Sequence, residues 1–232
     1  MLFNLFYFDW TILLLLPGII FAFWAQIKVQ STYKQYSRFP TQSGMTGAQA
    51  ARRILDENGL SNVKIEHIRG ELNDHFDPRE NVIRLSDAVH DSASPAAIGV
   101  AAHEAGHAVQ YANNYLPMKF RALIIPATRF VSVLSIPLFM IGLIFAYDAL
   151  MLAGIILYGT ISLFQLATLP VEFNASGRAM KTLRASNMLT TDELGAAKEV
   201  LSAAALTYVA ALVSSLLTLL RLIVLAGGRR RD

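Results

Sequence analysis

The stretch from Ala101 to Gln110, AAHEAGHAVQ, decides how this chain reads. It places two of the chain's five histidines four residues apart, with a glutamate directly after the first. On an α-helix, residues four apart lie on one face. His103 and His107 can therefore aim imidazole nitrogens at a single ion, with Glu104 in reach of a water on that ion. This is the pattern of a zinc-activated hydrolase, in which the metal acidifies its water and the glutamate takes the proton. The bland alternative is an alanine-rich buried helix whose histidine pair is satisfied by other side chains. Upstream, Ser94 as N-cap and Pro95 at the first helical position predict a helix through the motif. Ala101, Ala102, Ala105, Gly106 and Ala108 allow other backbone to pack close to it.

Outward from this helix the chain alternates between apolar and polar stretches. Residues 10–27, WTILLLLPGIIFAFWAQI, carry no charge between Asp9 and Lys28. That length suits a membrane span with aromatic flanks, and the absence of a basic start and a small-residue cleavage site predicts a retained anchor over residues 8–28. Residues 29–121 form a polar segment holding the His-Glu-x-x-His helix. Within it, TGAQAARRILDENGL reads as an amphipathic helix capped by Thr46 and stopped at Asn58-Gly59. NVKIEHI and NVIRLSD alternate as a short strand pair, separated by the turn-rich RGELNDHFDPREN. Residues 122–148 and 149–169 are two further spans, joined so tightly at Asp148 that they predict a helical hairpin. Residues 170–199 are polar again. Residues 200–226 give a fourth transmembrane or membrane-associated helix.

Composition agrees with this layout. Of 232 residues, 54% are hydrophobic and only 16% charged, with a mean hydropathy of +0.42. A soluble domain carries roughly a quarter charged residues, so the lipid bilayer is an expected partner. There are no cysteines, which excludes disulfides and thiolate-ligated metal. A net charge of +3 without a basic, aromatic-laced stripe argues against nucleic acid. The fold class that follows is mainly α, with about four transmembrane helices and a small α+β domain.

Catalytic zinc takes three protein ligands and a water. His67 sits mid-strand and His90 in a loop, so packing or exposure explains both. His75 lies among carboxylates in NDHFDP, where an ordinary polar turn is the competing reading. Glu172, in LPVEFNASGRAM, is favoured: the hairpin of spans two and three leaves and re-enters one side of the membrane, returning Glu172 to the side of His103 and His107. Pro170 would suit a helix start just before it. The competing reading of Glu172 is a solvated interfacial charge.

Taken together, HEAGHAVQ, LPVEFNASGRA, the GELNDHFDP turn and the anchor–domain–hairpin–span order resemble the membrane-bound neutral zinc metallopeptidases of bacteria, the YugP-like proteins, over nearly the whole chain. More distantly the plan resembles gluzincins of the HtpX and CAAX-prenyl-protease type. The resemblance implies a zincin-like catalytic domain, one catalytic Zn²⁺ held by His103, His107 and Glu172, and Glu104 as general base. It implies a metalloendopeptidase acting on membrane-associated or misfolded polypeptide, in the bacterial cell membrane. In the distant relatives an aspartate four residues after the third ligand orients a zinc-bound histidine; here that position is Ser176, with Asn174 as another candidate. An edge strand beside the histidine helix binds substrate backbone in such enzymes. The segment from His75 to Leu85 is its expected equivalent, with His75 as a substrate contact. Arg178 and Arg184 follow Glu172 and suit either an oxyanion or lipid headgroups, the latter by default.

Lys28, Lys34, Arg38, Lys119, Arg121, Lys181 and Arg184 crowd the side bearing the site. The positive-inside rule then predicts a cytosolic site. GGRRRD at the C-terminus conflicts with four full crossings, unless the last helix stops short or the orientation is reversed. The competing functions are a non-catalytic zinc-binding membrane scaffold, which has no need of Glu104, and two weaker ones. A site-2-type intramembrane protease would carry a Leu-Asp-Gly motif, which is absent from this sequence. A transporter would carry charges inside its spans.

Overall fold

In the computed structural model, which describes residues 9–228, the histidine helix is buried along most of its surface. This helix, Pro95–Ala112, begins as the sequence predicts, with Ser94 accepting from the Ala97 amide at 3.2 Å and Pro95 in the first turn. In chain order the elements are α1 (Leu16–Tyr36, entered through a 3₁₀ segment Trp10–Leu15), α2 (Gly47–Glu57), β1 (Lys64–Ile68), β2 (His75–Asp77), β3 (Val82–Ser86), α3 (Asp87–His90), α4 (Pro95–Ala112), α5 (Leu116–Ile144), α6 (Asp148–Ala185) and α7 (Thr191–Gly228). Phe8 of the expected anchor and residues 229–232 of the C-terminal tail lie outside the described residues.

The chain divides into two units. One comprises residues 25–122 and 167–207. Its core joins Ile54 and Leu55 of α2, Ile83 and Leu85 of β3, Ile98 of α4, Leu183 of α6 and Met188. Thr46 and Gln49 close a capping box at the start of α2, and Asn58 ends the helix with Gly59 at φ 71°. The sheet has three strands in the order β1-β3-β2. The strand pair read from sequence is β1 and β3, which run parallel from Lys64↔Val82 to Ile68↔Ser86. To it is added β2, antiparallel to β3 from His75↔Arg84 to Asp77↔Val82. So the stretch from His75 to Leu85 is not one edge strand. It turns back on itself: β2 is an edge, and β3 is the middle strand. The physical reason is burial: Val82, Ile83, Leu85 and Ser86 are all buried, the pattern of a strand covered on both faces. Asp74 accepts from the Ser86 amide at 2.7 Å and from its hydroxyl at 3.0 Å, which ties the start of β2 to the end of β3.

Small residues bring helices to the motif. A Cβ on Gly106 would lie 2.8 Å from the Ala175 carbonyl oxygen of α6. That partner is backbone and cannot swing aside. Gly106→Ala is expected to destabilise the protein by about 1–3 kcal/mol through overpacking, read as a lowered unfolding midpoint of the detergent-solubilised protein.

The other unit comprises residues 9–24, 123–166 and 208–228 of the described chain. Its surface is apolar: Ile19, Ile20, Phe23, Phe130, Val133, Leu152, Ile156 and Leu163 are all exposed. Exposed apolar surface on this scale marks a lipid-facing region. Among the described residues, three helices are long and apolar enough to cross a membrane, or four if the bent α5 counts as one span. The bend in α5 is 55°, between Leu116–Pro126 and Phe130–Ile144. Pro126 removes a backbone donor there, and Thr128 Oγ1 bonds back to the Ile124 carbonyl at 2.6 Å, both causes of helix bending. The hairpin expected at Asp148 is present. Ala146, at φ 56°, turns the chain, and a Cβ on Gly154 would lie 2.7 Å from the Phe139 Cβ.

Within this unit α7 runs antiparallel to α1. Ser214 Oγ donates to the Gly18 carbonyl at 3.2 Å, and Arg221 pairs with Asp9 at 2.7 Å and with Thr11 Oγ1 at 3.1 Å. The last helix thus lies beside the first as far as Asp9.

Helix α6 is the other departure from expectation. Pro170 does not start a helix but lies inside one of 38 residues, which carries both the apolar stretch and Glu172.

Candidate metal centre

His103 and His107 stand one turn apart on α4, with ring centroids 4.6 Å apart and planes at 82°. Glu172 comes from α6. Its Oε2 lies 3.1 Å from His103 Nε2 and 3.3 Å from His107 Nε2. All three donor atoms fall within 4.8 Å of one another. Glu172 and His107 are buried. Glu104, also buried, makes no side-chain hydrogen bond among the described residues.

The far sides of the imidazoles are held too. Gln110 Nε2 donates to the Val171 carbonyl at 2.8 Å and to Asn174 Oδ1 at 3.0 Å. Its Oε1, 2.9 Å from His107 Nδ1, is thereby left as an acceptor. His107 then carries its proton on Nδ1 and presents a lone pair at Nε2, the tautomer a metal requires. Ser176 Oγ lies 3.1 Å from His103 Nδ1. Asn174 touches neither histidine; it accepts from Gln110 and from Arg178 Nε at 2.7 Å. Gln110→Leu would strip His107 of its orienting partner and is expected to weaken zinc binding about 10- to 100-fold, measured by chelator competition.

Burial alone would push the Glu172 carboxyl up, but the hydrogen bonds with His103 and His107 outweigh it and hold the group well below the usual carboxylate range. Burial pushes His107 down, and the hydrogen bond and charge of Glu172, with the charge of Glu104, push it up further. Both shifts describe a buried carboxylate that demands positive charge. Two imidazole nitrogens and one carboxylate oxygen, preoriented and water-poor, fit a zinc ion by donor chemistry.

The other histidines lie elsewhere. His67 stacks on His90 with centroids 4.7 Å apart, and their partners are Asp87 and Asp91, each at 2.7 Å. His75 is exposed on β2 and outside the metal-ligating group, its Nδ1 2.9 Å from the Asn73 carbonyl. Arg184 lines a separate hollow of about 860 Å³ with Met180, Glu193 and Lys198. Three residues near the centre escaped sequence reading. Gln110 lies three after His107, a spacing that shares its helix face. Arg121 gave no signal beyond its charge, yet its Nη1 donates to Glu172 Oε1 at 2.6 Å. Asp74 is pushed up by burial, with the Glu104 charge adding to it and the bonds from Ser86 opposing.

Residues 11–227 match the family described as "Putative neutral zinc metallopeptidase". The chain is 45% identical over 214 residues, 92% of its own length and 95% of the relative's, to the "Putative membrane protease YugP" of Bacillus subtilis (strain 168). No solved structure matches.

Proposed function

Because this chain belongs to the family of neutral zinc metallopeptidases, we propose that it is a membrane-bound zinc endopeptidase that hydrolyses peptide bonds of membrane-associated or misfolded polypeptides. The observation that carries this is the convergence of His103 Nε2, His107 Nε2 and Glu172 Oε2 beside Glu104. His103, His107 and Glu172 hold one zinc ion, which when bound supplies a Lewis acid and an acidified water. Glu104 takes the proton of the attacking water and hands it to the departing amine nitrogen. Gln110 and Ser176 fix the two imidazoles. Substrate enters as an added strand on the free edge of β2, where His75 offers a side-chain contact. The edge strand packs beside α4, which supports that path.

The site faces the cytosol in this reading. Lys28, Lys34, Arg38, Lys119, Arg121, Lys181 and Arg184 all belong to the unit that holds it, which supports the orientation by the positive-inside rule. The test of the function is cleavage of an unfolded polypeptide by detergent-purified protein. Activity is expected to vanish on chelation and to return with stoichiometric zinc. Cleavage that is indifferent to chelator would sink the reading.

A further inference from the structure

The two oxygens of Glu172 have different partners. Oε2 faces both imidazoles, at 3.1 and 3.3 Å. Oε1 accepts from Arg121 Nη1 at 2.6 Å. Arg121 comes from the first turns of α5, so a third helix enters the centre beside α4 and α6. Its Nε is buried and has no hydrogen-bond partner among the described residues. A cation kept partly buried with a donor unpaired is a poor device for stability. Its placement calls for another explanation, and the carboxylate it grips supplies one.

A carboxylate binds a metal through one oxygen or through both. Two-oxygen binding by Glu172 would add a fifth donor beside the water that a catalytic zinc site holds in its fourth position. Resting on the zinc reading of this site, we propose that Arg121 is a positioning residue: it ties up Glu172 Oε1, so that the carboxylate offers the metal Oε2 alone and the fourth position is left to water without a crowding fifth donor. The planar guanidinium suits this role because it fixes the direction of the carboxylate as well as its charge. It also keeps a positive charge beside the metal, which favours ionisation of the water.

Cobalt(II) tests this, because its visible spectrum reports coordination number without any turnover. Wild-type protein, Arg121→Gln and Arg121→Lys would be saturated with cobalt in detergent and compared. The expected result is an intense four-coordinate spectrum for wild type and a weaker five-coordinate one for Arg121→Gln. Arg121→Lys should recover part of the four-coordinate signal. Metal binding by Arg121→Gln is expected to weaken about 10- to 100-fold, and its kcat to fall with KM unchanged. Identical cobalt spectra for wild type and Arg121→Gln would overturn the proposal, as would a kcat unaffected by the change. If Arg121→Gln fails to fold, Arg121→Lys decides alone: a wild-type spectrum at wild-type kcat overturns the directional role, and a mixed spectrum with reduced kcat supports it. If wild type takes up no cobalt, the zinc reading itself falls, and the proposal with it.

Discussion

Glu104→Gln is expected to lower peptide-bond cleavage by about 10³-fold, within the range assigned to a positioned acid–base group, while zinc content stays at one per chain. The amide has nearly the shape of the carboxylate. Glu104 is buried on α4 without a hydrogen bond to any described side chain, so the exchange strands no partner. What the variant lacks is the basicity to take a proton from water. Cleavage of an unfolded protein and metal analysis on the same preparation check both halves. Substantial residual activity would mean that a second carboxylate serves as base. Asp74 is then the residue to change next, since its carboxyl is pushed up by burial and feels the charge of Glu104.

The second large effect concerns metal. Glu172→Ala and His103→Ala are each expected to reduce bound zinc from about one per chain to near zero after purification, since two ligands do not make a catalytic site. Glu172→Ala carries a further penalty. It removes the acceptor of Arg121, whose Nε already lacks a partner among the described residues, so the variant should unfold at a lower temperature than His103→Ala. Glu172→Gln separates the two losses, because it keeps an oxygen for Arg121 and discards the charge. Elemental analysis beside thermal unfolding reads both. Zinc retained at full occupancy in Glu172→Ala would move the third ligand elsewhere, to His75 or another group.

How far the sequence could be read follows from how local each signal is. Ser94-Pro95 and Thr46 with Gln49 act within one turn, and the helix starts they mark are where the structure has them. The apolar runs were legible because a bilayer imposes a length. The pairing of Glu172 with the histidines is 69 residues distant for His103, yet membrane topology brought it within reach of argument. What escaped lacks a local signature. Strand β2 is three residues long and spelled in turn-forming residues; only its pairing with β3 makes it a strand. Pro170 reads as punctuation, but a helix packed as α6 is tolerates a missing donor, as membrane helices often do. Arg121 looked like one more cytosolic charge, because nothing near it in sequence announces a carboxylate 51 residues on.

The unbroken run of α6 restricts how this protein can vary in length. Glu172 lies on the same continuous helix as the apolar stretch before it. Each residue added to or removed from that stretch turns everything beyond it by about 100° around the axis. A one-residue insertion between Leu163 and Glu172 would swing the carboxylate off the histidines, or else force the upstream helix to rotate in its lipid surroundings. Residues 163–172 should therefore tolerate exchange of one side chain for another far better than any gain or loss of a residue. The turn at Phe145–Tyr147, where the helix has not yet begun, is the place where length is free to drift.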